Sequence, residues 1–165
     1  MILEGLEVRS LDSLFYWIAS HKFNALRLLF NMQDWLDNPL VPTEHFSATL
    51  NPEFVGAHYR DMLLIVARAA SRHGILVMPA CHRLKRAYQK TLVDKNTLDG
   101  IDDTAEWPGT WNGWWHDIPA GFTQTRVAQI WNEVARTFCS EWNVFAADVR
   151  APRFECETTI HLQLC

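Results

Sequence analysis

Hydrophobic residues recur with helical spacing at three places along the chain. Leu11, Leu14, Phe15 and Ile18 stand at i, i+3, i+4 and i+7 behind Ser10, a suitable N-cap. Asp12 falls in the first turn, where a carboxylate meets the positive end of the helix dipole, and the pattern predicts a helix over 11–20. Tyr59, Met62, Leu63, Val66 and Ala70 form a second stripe. Asn51 followed by Pro52 reads as its start, and Gly74, behind Arg68, Arg72 and His73, as its left-handed stop. Val127, Ile130, Trp131, Val134 and Phe138 make the third stripe. Between these segments lie shorter runs, apolar on both alternating faces: residues 23–30 (Phe-Asn-Ala-Leu-Arg-Leu-Leu-Phe), 75–80, where Pro79 belongs near a strand end, and 144–147. They predict strands buried on both sides, hence parallel strands in an α/β fold.

The connections refine this. Helix-to-strand links are about two residues (His21-Lys22, His73-Gly74, Trp142-Asn143), whereas residues 31–50, broken by Asp34, Asp37, Asn38, Pro39 and Pro42, and residues 83–122 are long strand-to-helix excursions. A scaffold with its working face at the carboxyl ends of the strands has this asymmetry, as in an eight-stranded βα barrel. No G-x-G-x-x-G or phosphate-loop sequence supports a nucleotide-binding sheet instead. A full barrel needs roughly 250 residues. Three strands and three helices in 165 residues therefore predict a piece of a barrel or a chain that has another partner, and, left alone, unpaired strand edges and poor solubility.

Composition narrows the function classes. At 48% hydrophobic and 21% charged the chain is globular rather than disordered. A net charge of −4 without a basic block offers nothing to a nucleic-acid backbone, so nucleic acid is not an expected partner. The first residues lack the basic and apolar regions of a signal peptide, and no apolar run approaches the ~18 residues of a membrane span, so neither export nor membrane insertion is expected of the chain as written. Cys81, Cys139, Cys156 and Cys165 match no zinc spacing and leave the redox compartment open. His82, His116 and Cys81 form no recognisable ligand set, so no metal or cofactor is expected.

Four positions carry candidate chemistry. Arg27 interrupts an apolar strand near its predicted carboxyl end and needs an anionic partner, either a functional group or a structural ion pair. His82 and Asp148 follow the second and third strands directly, on the predicted working face, or serve as a structural histidine and a local cap. Trp114-Trp115-His116-Asp117, with Trp107 and Trp111 nearby, places flat apolar rings beside polar side chains, which complement the C–H faces and hydroxyl rims of sugars; a satellite core under a long loop is the other reading.

The stretches at residues 23–30, 74–77 leading to His82, 112–117 (Asn-Gly-Trp-Trp-His-Asp) and 142–148 (Trp-Asn-Val-Phe-Ala-Ala-Asp) resemble, in colinear order, glycoside hydrolase family 5, the cellulase family. The resemblance runs from about Leu11 to Val149 and covers the second to fourth βα units. It implies a partial (β/α)8 TIM barrel over residues 1–149, ahead of a divergent tail over 150–165. It also implies β-linked polysaccharide or oligosaccharide as substrate, and retaining hydrolysis by a pair of glutamates about 5 Å apart. Arg27 matches the family's strand-two arginine near the nucleophile, His82 the histidine ending strand three, and Trp114 and Trp115 its loop aromatics: four substrate-binding expectations. Family members are usually secreted. Where the family continues into Asn-Glu-Pro, bearing the acid/base, this chain has Arg150-Ala151-Pro152-Arg153, and the nucleophile would lie beyond residue 165. No catalytic residue is therefore assigned, and the expectation is an inactive glycosidase-like chain or, alternatively, a carbohydrate-binding remnant using the Trp-rich loop. An unrelated α/β binding domain, with antiparallel strands or loops at opposite ends, is the third reading.

Overall fold

The computed structural model describes residues 4–83 and 124–148. Helix α1 spans Leu11–Ser20 as its periodicity predicts, with the Ser10 hydroxyl accepting from Ser13 N at 3.2 Å. Strand β1 runs Ala25–Asn31, so Phe23 and Asn24 of the expected strand precede it. A short helix α2, Met32–Asp37, follows at once inside the segment that looked irregular. Its signal is local: Asn31 Oδ1 accepts from Asp34 N at 2.7 Å, and Asn38 closes it with a left-handed φ of 44°.

Helix α3 is Tyr59–Arg72, and its start departs from expectation. Asn51 does not cap it. The Asn51 side chain is wholly buried, accepting from Leu11 N at 2.6 Å and donating to the carbonyls of Leu6 (2.8 Å) and Arg9 (2.9 Å). Pro52–Phe54 makes only one 3₁₀ turn before Gly56 takes a positive φ of 73°. The cap is His58, whose N–H is accepted by Asp61 Oδ2 at 3.1 Å. The other end is as predicted: Gly74 has φ +70°, Gly74 N donates to Ser71 O (3.1 Å) and Ile75 N to Ala70 O (3.0 Å). That pair of bonds is a Schellman stop, sealed by the fully buried Ile75 and Ala70.

Strand β2, Leu76–Arg83, pairs parallel with β1, Ala25 opposite Leu76 and Leu29 opposite Ala80. Pro79 sits inside β2 rather than at its end. Leu76 N donates to Asn24 O on the β1 side and Val77 N to Asn143 O on the other, so the donor that proline lacks at 79 would face the second side. There the neighbouring segment is irregular. It makes isolated parallel bridges, Val77 to Val144 and Ala80 to Asp148, instead of the continuous third strand expected over 144–147. Helix α4, Gln124–Phe138, leads into it and buries its predicted stripe.

One core fills the space between the helices and one face of the sheet. Leu11 and Phe15 of α1, Leu28 and Phe30 of β1, Leu63 and Val66 of α3, Val77 of β2 and Trp131 of α4 meet there. Phe30 packs edge-on to Trp131 with centroids 5.3 Å apart. The opposite face corrects the expectation of strands buried on both sides. Leu29 is 37% exposed and Phe145 56%, and Arg27 is also open to solvent. A parallel sheet normally has both faces covered; here the inner face of the cylinder wall is open.

Candidate functional site

Alternation along β1 and β2 assigns Ala25, Arg27 and Leu29, with Leu76, Met78 and Ala80 opposite them, to the open face. Arg27 is the third of seven residues in β1, lower than predicted. Its Nη2 donates to Asp148 Oδ2, the partner that a guanidinium in an apolar strand requires.

The pairing depends on register. Three steps along β2, Val77 to Ala80, are matched by four along the adjoining segment, Val144 to Asp148. The extra residue acts as a bulge: without it Ala147 would lie opposite Ala80 and Asp148 would face the helices. With it, Asp148 joins Arg27 on the inner face. Asp148 is also displaced toward the carboxyl rim by two register positions relative to Arg27, about 6.6 Å of strand. Arg27 therefore climbs across β2, where Ala80 is the small, fully buried residue between Leu29 and Asp148. The side chains are 44% and 30% exposed, so the pair is wet and its electrostatic worth modest.

His82 lies one residue before the end of β2, where the ladder slips between Phe30–Cys81 and Asn31–Arg83. Both strands run toward the same rim, so His82 shares the end toward which Asp148 is offset. Trp114 and Trp115 lie outside the described residues. Sequence reasoning named Asp148 but missed its pairing with Arg27, because the bulge has no glycine or other local signature. It also missed Asn31, at the rim, whose amide donates to Tyr59 Oη (3.2 Å) while its side chain caps α2.

No protein-family model and no curated relative matches the chain. Solved structures do. The catalytic domain of the major endoglucanase from Xanthomonas campestris pv. campestris matches with a TM-score of 0.65 at 17% identity, over 92% of this chain and 36% of that one. The hyperthermophilic endocellulase from the archaeon Pyrococcus horikoshii matches with a TM-score of 0.66 at 22% identity, over 92% and 35%. A cellotetraose complex of that organism's endocellulase matches at 0.65 and 22%, over 89% and 32%. The fold is part of a (β/α)8 TIM barrel, the fold of those structures. The chain spans about a third of the length of the structures it matches. The proteins found by structure are thus of the kind that the four sequence motifs resemble, and the parallel pairing removes the antiparallel alternative. In barrel terms, the open face bearing Arg27 and Asp148 is the lumen wall, and the helices form the outer ring.

Proposed function

We propose that this chain is a portion of a glycoside hydrolase of family 5, its rim built to hold β-linked glucan, and that the 165-residue protein by itself does not hydrolyse it. The supporting observation is the Arg27–Asp148 pair on the lumen side of a cellulase-like sheet. Hydrolysis with retention needs two carboxyl groups, one to attack the anomeric carbon and one to protonate the leaving oxygen. Among the described strand residues Asp148 is the single carboxylate, and its Oδ2 is taken up by the Arg27 guanidinium, so no pair of carboxyl groups stands there. Arg27 and His82, with Trp114 and Trp115, are the substrate-contacting residues of this reading, and residues 150–165 a divergent tail that supplies no acid/base.

The test has two arms on the purified protein. Incubation with a soluble β-glucan is expected to release no reducing sugar; turnover abolished by Glu155→Gln or Glu157→Gln would overturn the assignment of the tail. Titration with cellotetraose is expected to change tryptophan fluorescence saturably, and a flat titration would count against a glucan-holding rim.

A further inference from the structure

We propose that Asp148 is a positioning residue that fixes the Arg27 guanidinium below the carboxyl rim, and that the extra residue in the 144–148 segment is what delivers it there. The inference deepens the glucan reading and rests on it for its ligand. Arg27 leaves its strand low, at the level of Met78, while Asp148 stands level with Ala80. An unrestrained arginine at a half-open surface samples many rotamers, because four flexible torsions cost entropy to order. A charge-assisted bond from Nη2 to Asp148 selects those that climb toward the rim. Nε and Nη1 make no hydrogen bond among the described residues, so part of the donor fork stays available on the lumen side.

Pairing also settles what kind of ligand those donors suit. Guanidinium and carboxylate together carry no net charge, so the site presents directed donors and a neighbouring acceptor oxygen without attracting polyanions. Vicinal hydroxyls of a neutral sugar match that combination. Ala80 belongs to the same device: a longer side chain there would stand between the two partners in register.

A purely structural pair predicts something else, namely that its loss is felt as lost stability. Here both side chains are substantially exposed, and removing such a pair is expected to move Tm by about 3 °C or less. Nitrogen-15 spectra of the free protein at low temperature provide the separate readout. In the wild type the Arg27 Nη protons are expected as resolved, slowly rotating signals. In Asp148→Asn they collapse into the averaged signal of a free guanidinium, and in Asp148→Glu they are partly restored. Ala80→Val, which keeps both charges, is expected to weaken the signature as well. Cellotetraose is expected to shift Arg27 Nε–H in the wild type, with affinity falling about fivefold in Asp148→Asn. Unchanged Arg27 signals in Asp148→Asn would overturn the positioning role, as would a Tm drop of 10 °C or more with loss of spectral dispersion. A wild type whose Arg27 signature is present but unmoved by cellotetraose would instead sink the glucan reading and leave the positioning result standing.

Discussion

Asn51 shows how a single side chain can hold a loop to a helix. It closes three bonds to Leu6, Arg9 and Leu11, all from a fully buried position. Truncation removes the partner and leaves the Leu11 amide and two carbonyls short of bonds in a dry site. Asn51→Ala is therefore expected to destabilise the protein by roughly 3 kcal/mol, measurable as a lower urea midpoint with unchanged slope. An effect below about 0.5 kcal/mol, typical of a surface site, would mean that water replaces the side chain. Asn-Pro is a familiar helix-start signature, so the sequence pointed to this residue with the wrong role. Local pattern identifies a residue eager to accept backbone N–H groups; which ones it accepts from is decided by the chain segments that fold over it, here 45 and 40 positions away.

At the scale of elements, helix ends were the most legible features and one of them is titratable. Asp12 in the first turn of α1 reaches across to the end of α3, 2.9 Å from His73 Nε2 and 3.6 Å from Arg72 Nη2. The hydrogen bond from His73 holds the Asp12 carboxyl below its ordinary value of 3.8; desolvation opposes it, and the charges of His73 and Arg72 add smaller contributions in the lowering direction. A depressed folded-state pKa stabilises above the unfolded value and loses that contribution as pH falls through the folded one. The Tm difference between wild type and Asp12→Asn is thus expected to be fully present at about pH 5 and to close as the pH falls below that; a gap that persists to pH 2 would exclude this linkage. At the other kind of helix end, Gly74→Ala forces a Cβ into a φ of +70° although no atom stands within 4 Å of it. The expected cost is about 1 kcal/mol from backbone strain alone, read by thermal unfolding. Gly74 was legible because a left-handed stop depends on one residue, whereas the displaced start of α3 depended on where Asn51 was needed.

The whole molecule is a sheet with one face packed and one face open. On the open side Leu29 and Phe145 are solvent-exposed, with Phe23 and Trp142 also exposed where the chain enters β1 and the 143–148 segment. The inner wall of a barrel is ordinarily covered by the opposite wall, so an exposed row of this kind favours association. The 165-residue protein is expected to enhance the fluorescence of an apolar dye while keeping its helical circular dichroism. A Leu29→Ser, Phe145→Ser double variant should lose most of that enhancement and remain soluble at higher concentration, with stability changed by less than about 1 kcal/mol. Equal dye binding in both proteins would place the apolar surface elsewhere. Against this, Trp131→Ala on the packed side is expected to cost ~3–5 kcal/mol, since the ring is only 1% exposed and meets Phe30 edge-on.

The amino-acid sequence by itself determined the alternation of helix and parallel strand, the buried stripes of α1, α3 and α4, and the left-handed stop at Gly74, because each rests on periodicity or on one residue's backbone freedom. Only the tertiary structure decided that Pro79 could sit within a strand, that Asn51 would serve α1 instead of α3, and that Arg27 would meet Asp148, 121 positions away. For the last of these the reason is register. A strand's faces alternate every residue, so one extra residue between Val144 and Asp148 exchanges inside for outside, and that residue costs the chain nothing that a hydrophobic pattern records.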